Sequence, residues 1–167
     1  MIHSDFMRYW HPSRMIIMAA KINISKLLSQ ISAFGHDANR LAVAVTNETT
    51  QGMVTAAQLR VTSNNSVDKG QLRLSIGKTT ARVGYNRSFF FSNAPYAAYV
   101  EFGTGDGVII PNGFSYLAEP FRGKKNRKRD YGAKPFFIPS YLEGIQQYPK
   151  TLRKVLEVQT RKYNAKK

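Results

Sequence analysis

The chain has 167 residues, 43% hydrophobic and 12% aromatic, which is enough to bury one core without covalent staples. It carries 25 Lys and Arg against 10 Asp and Glu, a formal charge of +15, and no cysteine. Disulfides and thiolate metal sites are excluded, and polyanions or acidic protein surfaces are the partners such a charge attracts.

Residues 1–19 read as an N-terminal arm, in which Phe6, Tyr9 and Trp10 would suit packing on a neighbouring subunit, although a poorly ordered terminus is the plainer reading. The run MIIMAA (15–20) follows Arg8 and Arg14 but is shorter than a signal-peptide core, and no stretch reaches the ~20 apolar residues of a membrane span. Met15 and Met18 leave open a translation start later than Met1.

Residues 20–167 are expected to form a single domain. From Ser25 to about Val61 the apolar residues Leu27, Leu28, Ile31, Phe34, Ala38, Leu41, Val45, Met53, Ala56 and Leu59 fall at helical spacing. Gly35 and TNETTQG (46–52) weaken that pattern, which predicts one long helix with a soft point or two helices in series. SNNSVDKG (63–70) is a turn by composition. QLRLSIG, TARVGY and SFFFS then read as a meander of strands, although KGQLRLSI suits a short helical turn equally well.

In YAAYVEF (96–102) alternation predicts a further strand, with Tyr96, Ala98, Val100 and Phe102 on the core face and Ala97, Tyr99 and Glu101 on the other. The second face, small, aromatic and acidic, suits docking on another protein, so Tyr99 and Glu101 are candidate subunit-interface residues. With so few acids in the chain, Glu101 is expected to have Arg or Lys within reach. A long connection, 103–134, follows. The final helix from Pro139 has Tyr141, Leu142, Ile145, Leu152, Val155, Leu156 and Tyr163 as apolar candidates, and Pro149 should kink or restart it. The fold class is α+β: a long N-terminal helix, an antiparallel sheet of about three to five strands and a C-terminal helix packed on it.

The residues give little support for catalysis. His3, His11 and His36 stand in no metal-binding or triad-like spacing, so no catalytic residue, metal ligand or cofactor is assigned. GTGDG (103–107) has the wrong spacing for a phosphate loop. Glu101, Asp68 and Asp106 are the one group imaginable as a metal-dependent nuclease centre, but nothing in their spacing demands that they converge. The run KKNRKR, with Lys124, Lys125, Arg127, Lys128 and Arg129, is either a solubilising loop tip or a finger facing DNA or an acidic partner.

Three stretches together resemble the small head-tail joining proteins of tailed bacteriophages, the neck and tail-completion family. The family's Pro-Val-Asp-Thr-Gly-x-Leu-Arg is met by Val67, Asp68, Gly70, Leu72 and Arg73, with Ser66 and Lys69 departing. Its Tyr-Ala-x-Tyr-Val-Glu-x-Gly-Thr is met by Tyr96, Ala97, Tyr99, Val100, Glu101, Gly103 and Thr104. Its Ala-x-Pro-Phe-x-x-Pro-Ala is met by Ala133, Pro135, Phe136 and Pro139, with Ser140 for the last alanine. The resemblance spans roughly residues 20 to 160, and the long basic loop departs from it.

The resemblance implies a virion protein, assembled in the host cytoplasm, that forms a homo-oligomeric neck ring of roughly six or twelve copies. Its neighbours would be a head-completion or portal-side ring protein and a tail terminator or tail tube protein, with duplex DNA passing through the channel. No membrane, cofactor or small-molecule substrate is implied. A standalone basic nucleic-acid-binding protein and a metal-dependent nuclease are the competing readings.

Overall fold

The computed structural model describes residues 18–23 (backbone only), 35–64, 70–104, 113–118 and 131–165. In chain order the elements are β1 (Met18–Asn23), α1 (Gly35–Ser63), α2 (Gln71–Ser75), β2 (Ile76–Lys78), β3 (Arg87–Ser92), α3 (Ala97–Phe102), α4 (Ser115–Ala118) and α5 (Phe137–Asn164). The architecture is α+β, as expected: two long helices packed on each other and on a three-stranded antiparallel sheet of order β1-β3-β2. No helix among the described residues is long and apolar enough to cross a membrane.

Of the two weak points expected in the first helix, Gly35 is left-handed at φ 73° and stands where the helix begins, residues 25–34 lie outside the described residues, and the stretch 46–52 does not break it. α1 runs without interruption from Gly35 through the threonine-rich stretch. Thr46 and Thr50 are fully buried, and each hydroxyl donates to the carbonyl four residues back, at 2.8 Å to Ala42 and 2.7 Å to Thr46, so their polar groups are satisfied within the helix. Asn47 turns outward from α1 to hold the chain before β3: its amide donates to the Ala81 carbonyl (3.0 Å) and its oxygen accepts the Ala81 N–H (2.8 Å). The buried stripe is Ala38, Ala42, Val45, Met53, Val54, Ala57 and Val61. Leu59, expected in the core, lies on the opposite face and is 65% exposed.

The sheet is partly as read. SFFFS is the central strand, with Ser88, Phe90 and Ser92 buried in alternation. QLRLSIG is not one strand: its first residues form α2 and only Ile76–Lys78 pairs with β3. Within TARVGY the chain reverses between Arg82 and Tyr85, which exchange backbone hydrogen bonds of 3.0 and 2.9 Å, so this stretch is a tight turn and not a strand. The other flank of β3 is taken by β1, which starts inside the segment read as an N-terminal arm and pairs from Met18 opposite Ser92 to Asn23 opposite Arg87.

YAAYVEF departs most from its expected form. It is the short helix α3, and its buried residues Ala97, Ala98, Glu101 and Phe102 follow the i, i+1, i+4, i+5 pattern of a helix face, leaving Tyr99 exposed. α5 passes through Pro149 without restarting; the proline sits on the exposed side. Beyond Ser140, Tyr141, Tyr148 and Leu152 are the buried residues of its inner face, and Leu142, one of the apolar candidates, is 41% exposed. The Tyr163 side chain lies outside the described residues.

α1 and α5 run antiparallel, from Arg60 beside Ser140 to Thr46 facing Tyr148, whose hydroxyls are 3.3 Å apart. Their approach depends on Gly144, where a methyl group would sit 2.2 Å from Met53 Cε and 2.5 Å from its Cγ. Gly144→Ala is expected to destabilise the fold by about 1–3 kcal/mol through overpacking. Truncating Met53 in the same chain should recover part of that loss, read as a positive coupling in a urea-denaturation double-mutant cycle. A Gly144→Ala protein as stable as the parent would show that the two helices do not meet so closely.

Candidate functional site

The starting point is a problem of helix chemistry. α5 begins in the middle of the core: Phe136 and Phe137 are fully buried and Ile138 is 1% exposed. The Phe137 ring stacks on Phe90 of β3 with centroids 4.0 Å apart, and Phe136 meets Phe137 edge to face. A helix start leaves its first four amides without intrahelical acceptors, and water cannot reach these.

Glu101 supplies the acceptors. Its Oε2 accepts the N–H of Phe136 at 2.7 Å and of Phe137 at 2.8 Å, and its Oε1 accepts the N–H of Ile138 at 3.0 Å. The fourth position is Pro139, which has no N–H to satisfy. All four places are thereby accounted for, by one side chain 35 residues upstream and one proline. The carboxylate also lies where the helix dipole favours negative charge.

The surroundings of Glu101 are otherwise closed. It is 1% exposed, and burial pushes its carboxyl above the ordinary value, opposed by the three amides and by the field of Arg60. Arg60, near the end of α1, donates from Nε to Ser140 Oγ (3.2 Å) and forms an ion pair through Nη2 with Glu143. Ser140 in turn donates to the Phe136 carbonyl (2.7 Å). The cation expected near Glu101 is supplied by α1 of the same chain.

The other motif residues assemble around this cap. Gly70, in the left-handed region at φ 72°, precedes α2 and directs Leu72 into the core, while Arg73 is exposed and its carbonyl accepts from Gln58. Tyr96 precedes α3 and is half-buried, Ala97 is fully buried, and the half-buried Val100 offers its carbonyl to the Lys134 N–H at 2.8 Å. Gly103 leaves α3 at φ 79° and ψ −168°, a conformation open in practice only to glycine. Thr104 and Tyr131 clasp each other, Thr104 N–H to the Tyr131 carbonyl (2.9 Å) and Tyr131 N–H to Thr104 Oγ1 (3.0 Å). The half-buried Pro135 is held through its carbonyl by the Asn64 amide (3.1 Å), and Ala133 and Pro139 are half-buried.

Residues 25–103, just under half of the chain, match the family described as "Bacteriophage HK97-gp10, putative tail-component". That stretch is similar to a family of phage tail components. The match indicates a structural protein associated with the virion and assembling with other phage proteins, a role that calls for no catalysis. It ends at Gly103, so the stretch 133–140 lies outside it, tied to the matched part by the Glu101 carboxylate. No curated protein and no solved structure matches the chain significantly.

The tail-component signature is thus chiefly a device of folding. Tyr99 remains exposed, as a docking residue must be, but Glu101 does not: its oxygens are committed to internal amides, which corrects its reading as an interface residue. The same commitment removes Glu101 from the imagined nuclease centre, whose other members, Asp68 and Asp106, lie outside the described residues with Val67. Lys124, Lys125, Arg127, Lys128 and Arg129 also lie outside them. The sequence signal that sequence reading missed was the pairing of a lone buried-looking acid with an aromatic Phe-Phe-Ile-Pro helix start that offers no N-cap side chain.

Replacing Glu101 by Gln turns one acceptor into a donor aimed at an amide, and is expected to cost on the order of 2 kcal/mol. Glu101→Ala strands three buried N–H groups and should cost more, on the order of 3 kcal/mol or above. Thermal or urea unfolding of both variants checks the order. Near-parental stability for the alanine variant would mean that the amides find other acceptors.

Proposed function

We propose that this tail component is a neck or tail-completion protein that forms a ring between the DNA-filled head and the tail, leaving a channel for genome passage. The observation that supports the reading is that most of the described signature residues build one internal joint, and that no cluster able to hold a metal ion stands among the described residues. A protein whose sequence identity is invested in holding two long helices and a sheet in fixed relation is suited to repeated contact with copies of itself and with neighbouring rings.

In this reading Tyr99, exposed on α3, lies in the contact between adjacent subunits, and the segment carrying Lys124, Lys125, Arg127, Lys128 and Arg129 faces either the DNA or an acidic neighbour. Ring closure needs two different complementary faces on each subunit. The partners are a portal-side head-completion protein on one side and a tail terminator or tail tube protein on the other.

The test is the mass and shape of the purified protein, alone and mixed with those neighbours, by light scattering and negative-stain microscopy. Rings, formed alone or on mixing, are the expected outcome, and Tyr99→Ala should weaken their assembly while leaving the monomer folded. Monomers that persist at high concentration and ignore both neighbours would overturn the reading.

A further inference from the structure

The last turns of α5 carry a charge pattern that the joint around Glu101 does not require. Lys150, Arg153, Lys154, Arg161 and Lys162 are all exposed on this helix, with Glu157 as the one acid among them. At 100° per residue, Lys150, Arg153, Lys154 and Arg161 fall within about 100° of arc, Lys162 flanks them, and the five span about 18 Å of axis. None makes an ion pair among the described residues, and Glu157 pairs with neither Arg153 nor Arg161 although each is one turn away.

Helix chemistry alone does not account for this. Cations in the final turn complement the helix dipole, which covers Arg161 and Lys162. Lys150, Arg153 and Lys154 lie more than two turns from the end, where that effect has faded, and Lys150 and Lys154 repel each other at i, i+4 spacing. Beyond Leu152 no described residue of α5 is fully buried. This part of the helix stands at the edge of the core with one side free of it.

We propose that the outer face of α5 from Lys150 to Lys162 binds the phosphate backbone of duplex nucleic acid, independently of base sequence. Five cations without an ion pair among the described residues, spread along one side of a helix with Glu157 as the one acid between them, complement a polyanion whose charges repeat along an axis. A specific protein partner would require an apolar centre that excludes water, and this face offers only Val158. A membrane surface would require a broad apolar side, and the apolar side of α5 is turned to α1 and the core. The proposal concerns residues different from the 124–129 run and does not rest on ring formation.

The test is fluorescence anisotropy of the full chain with a random-sequence duplex of about 30 base pairs, across a range of salt. A variant with Lys150, Arg153, Lys154, Arg161 and Lys162 all changed to Gln is compared with one in which Lys124, Lys125, Arg127, Lys128 and Arg129 are changed to Gln. The α5 variant should lose affinity about tenfold or more near 100 mM salt, with the slope of log affinity against log salt reduced by roughly 3 to 4. Acetylation footprinting of the unaltered protein gives a readout that needs no variant: duplex should shield Lys150, Lys154 and Lys162. Parental binding by the α5 variant, no shielding of those lysines, or equal affinity for a poly-glutamate chain of matched charge would each overturn the proposal.

Discussion

The fold turns on a carboxylate that takes the place of water at a buried helix start. Because α5 opens with Phe136, Phe137 and Ile138 inside the core, its free amides are cut off from solvent, and leaving them unpaired would cost more than most single side-chain contacts return. Glu101 answers three of them and Pro139 removes the fourth. This arrangement lets the aromatic pair sit on Phe90 of the central strand, so the joint between helix and sheet is made by stacking and by hydrogen bonds at one point.

The joint extends to α1 through polar groups of similar economy. Arg60 holds Ser140 and Glu143 on the first turns of α5, and Asn64 holds the Pro135 carbonyl just ahead of them. Further along, Gly144 admits Met53 and Thr46 meets Tyr148, so the two long helices are fixed in register at three levels. The described residues that resemble the neck and tail-completion family are concentrated at the first of these levels. Only Tyr99 and Arg73 among them point clearly outward.

How much of this was legible depended on whether a residue's role was local. The Phe-rich central strand and the two long helices on either side of it in the chain follow from periodicity, and they appear, with β1 added ahead of the first helix. YAAYVEF was misread because seven residues satisfy a period of two and a helical stripe about equally well, and only the burial of adjacent Ala97 and Ala98 separates them. The threonines of α1 look like helix weakeners, but their hydroxyls bond backward along the same helix. β1, whose first two residues fell within the segment read as an arm, was not read as a strand because its pairing with β3 joins residues some seventy positions apart, which no local pattern reveals. The role of Glu101 was hidden for the same reason: the amides it serves are 35 to 37 residues away.

Charge is divided between the joint and the surface. Of the 10 acidic residues, Glu101 is enclosed by amides and Glu143 is engaged with Arg60, while the cations on the outer side of α5 have no acidic partner among the described residues. The joint is specified by hydrogen bonds with fixed partners, and the outer side of α5 keeps positive charge with no ion pair among the described residues. Charge held in that state is free to meet a polyanion without first breaking an internal pair, so binding outside need not disturb the joint inside.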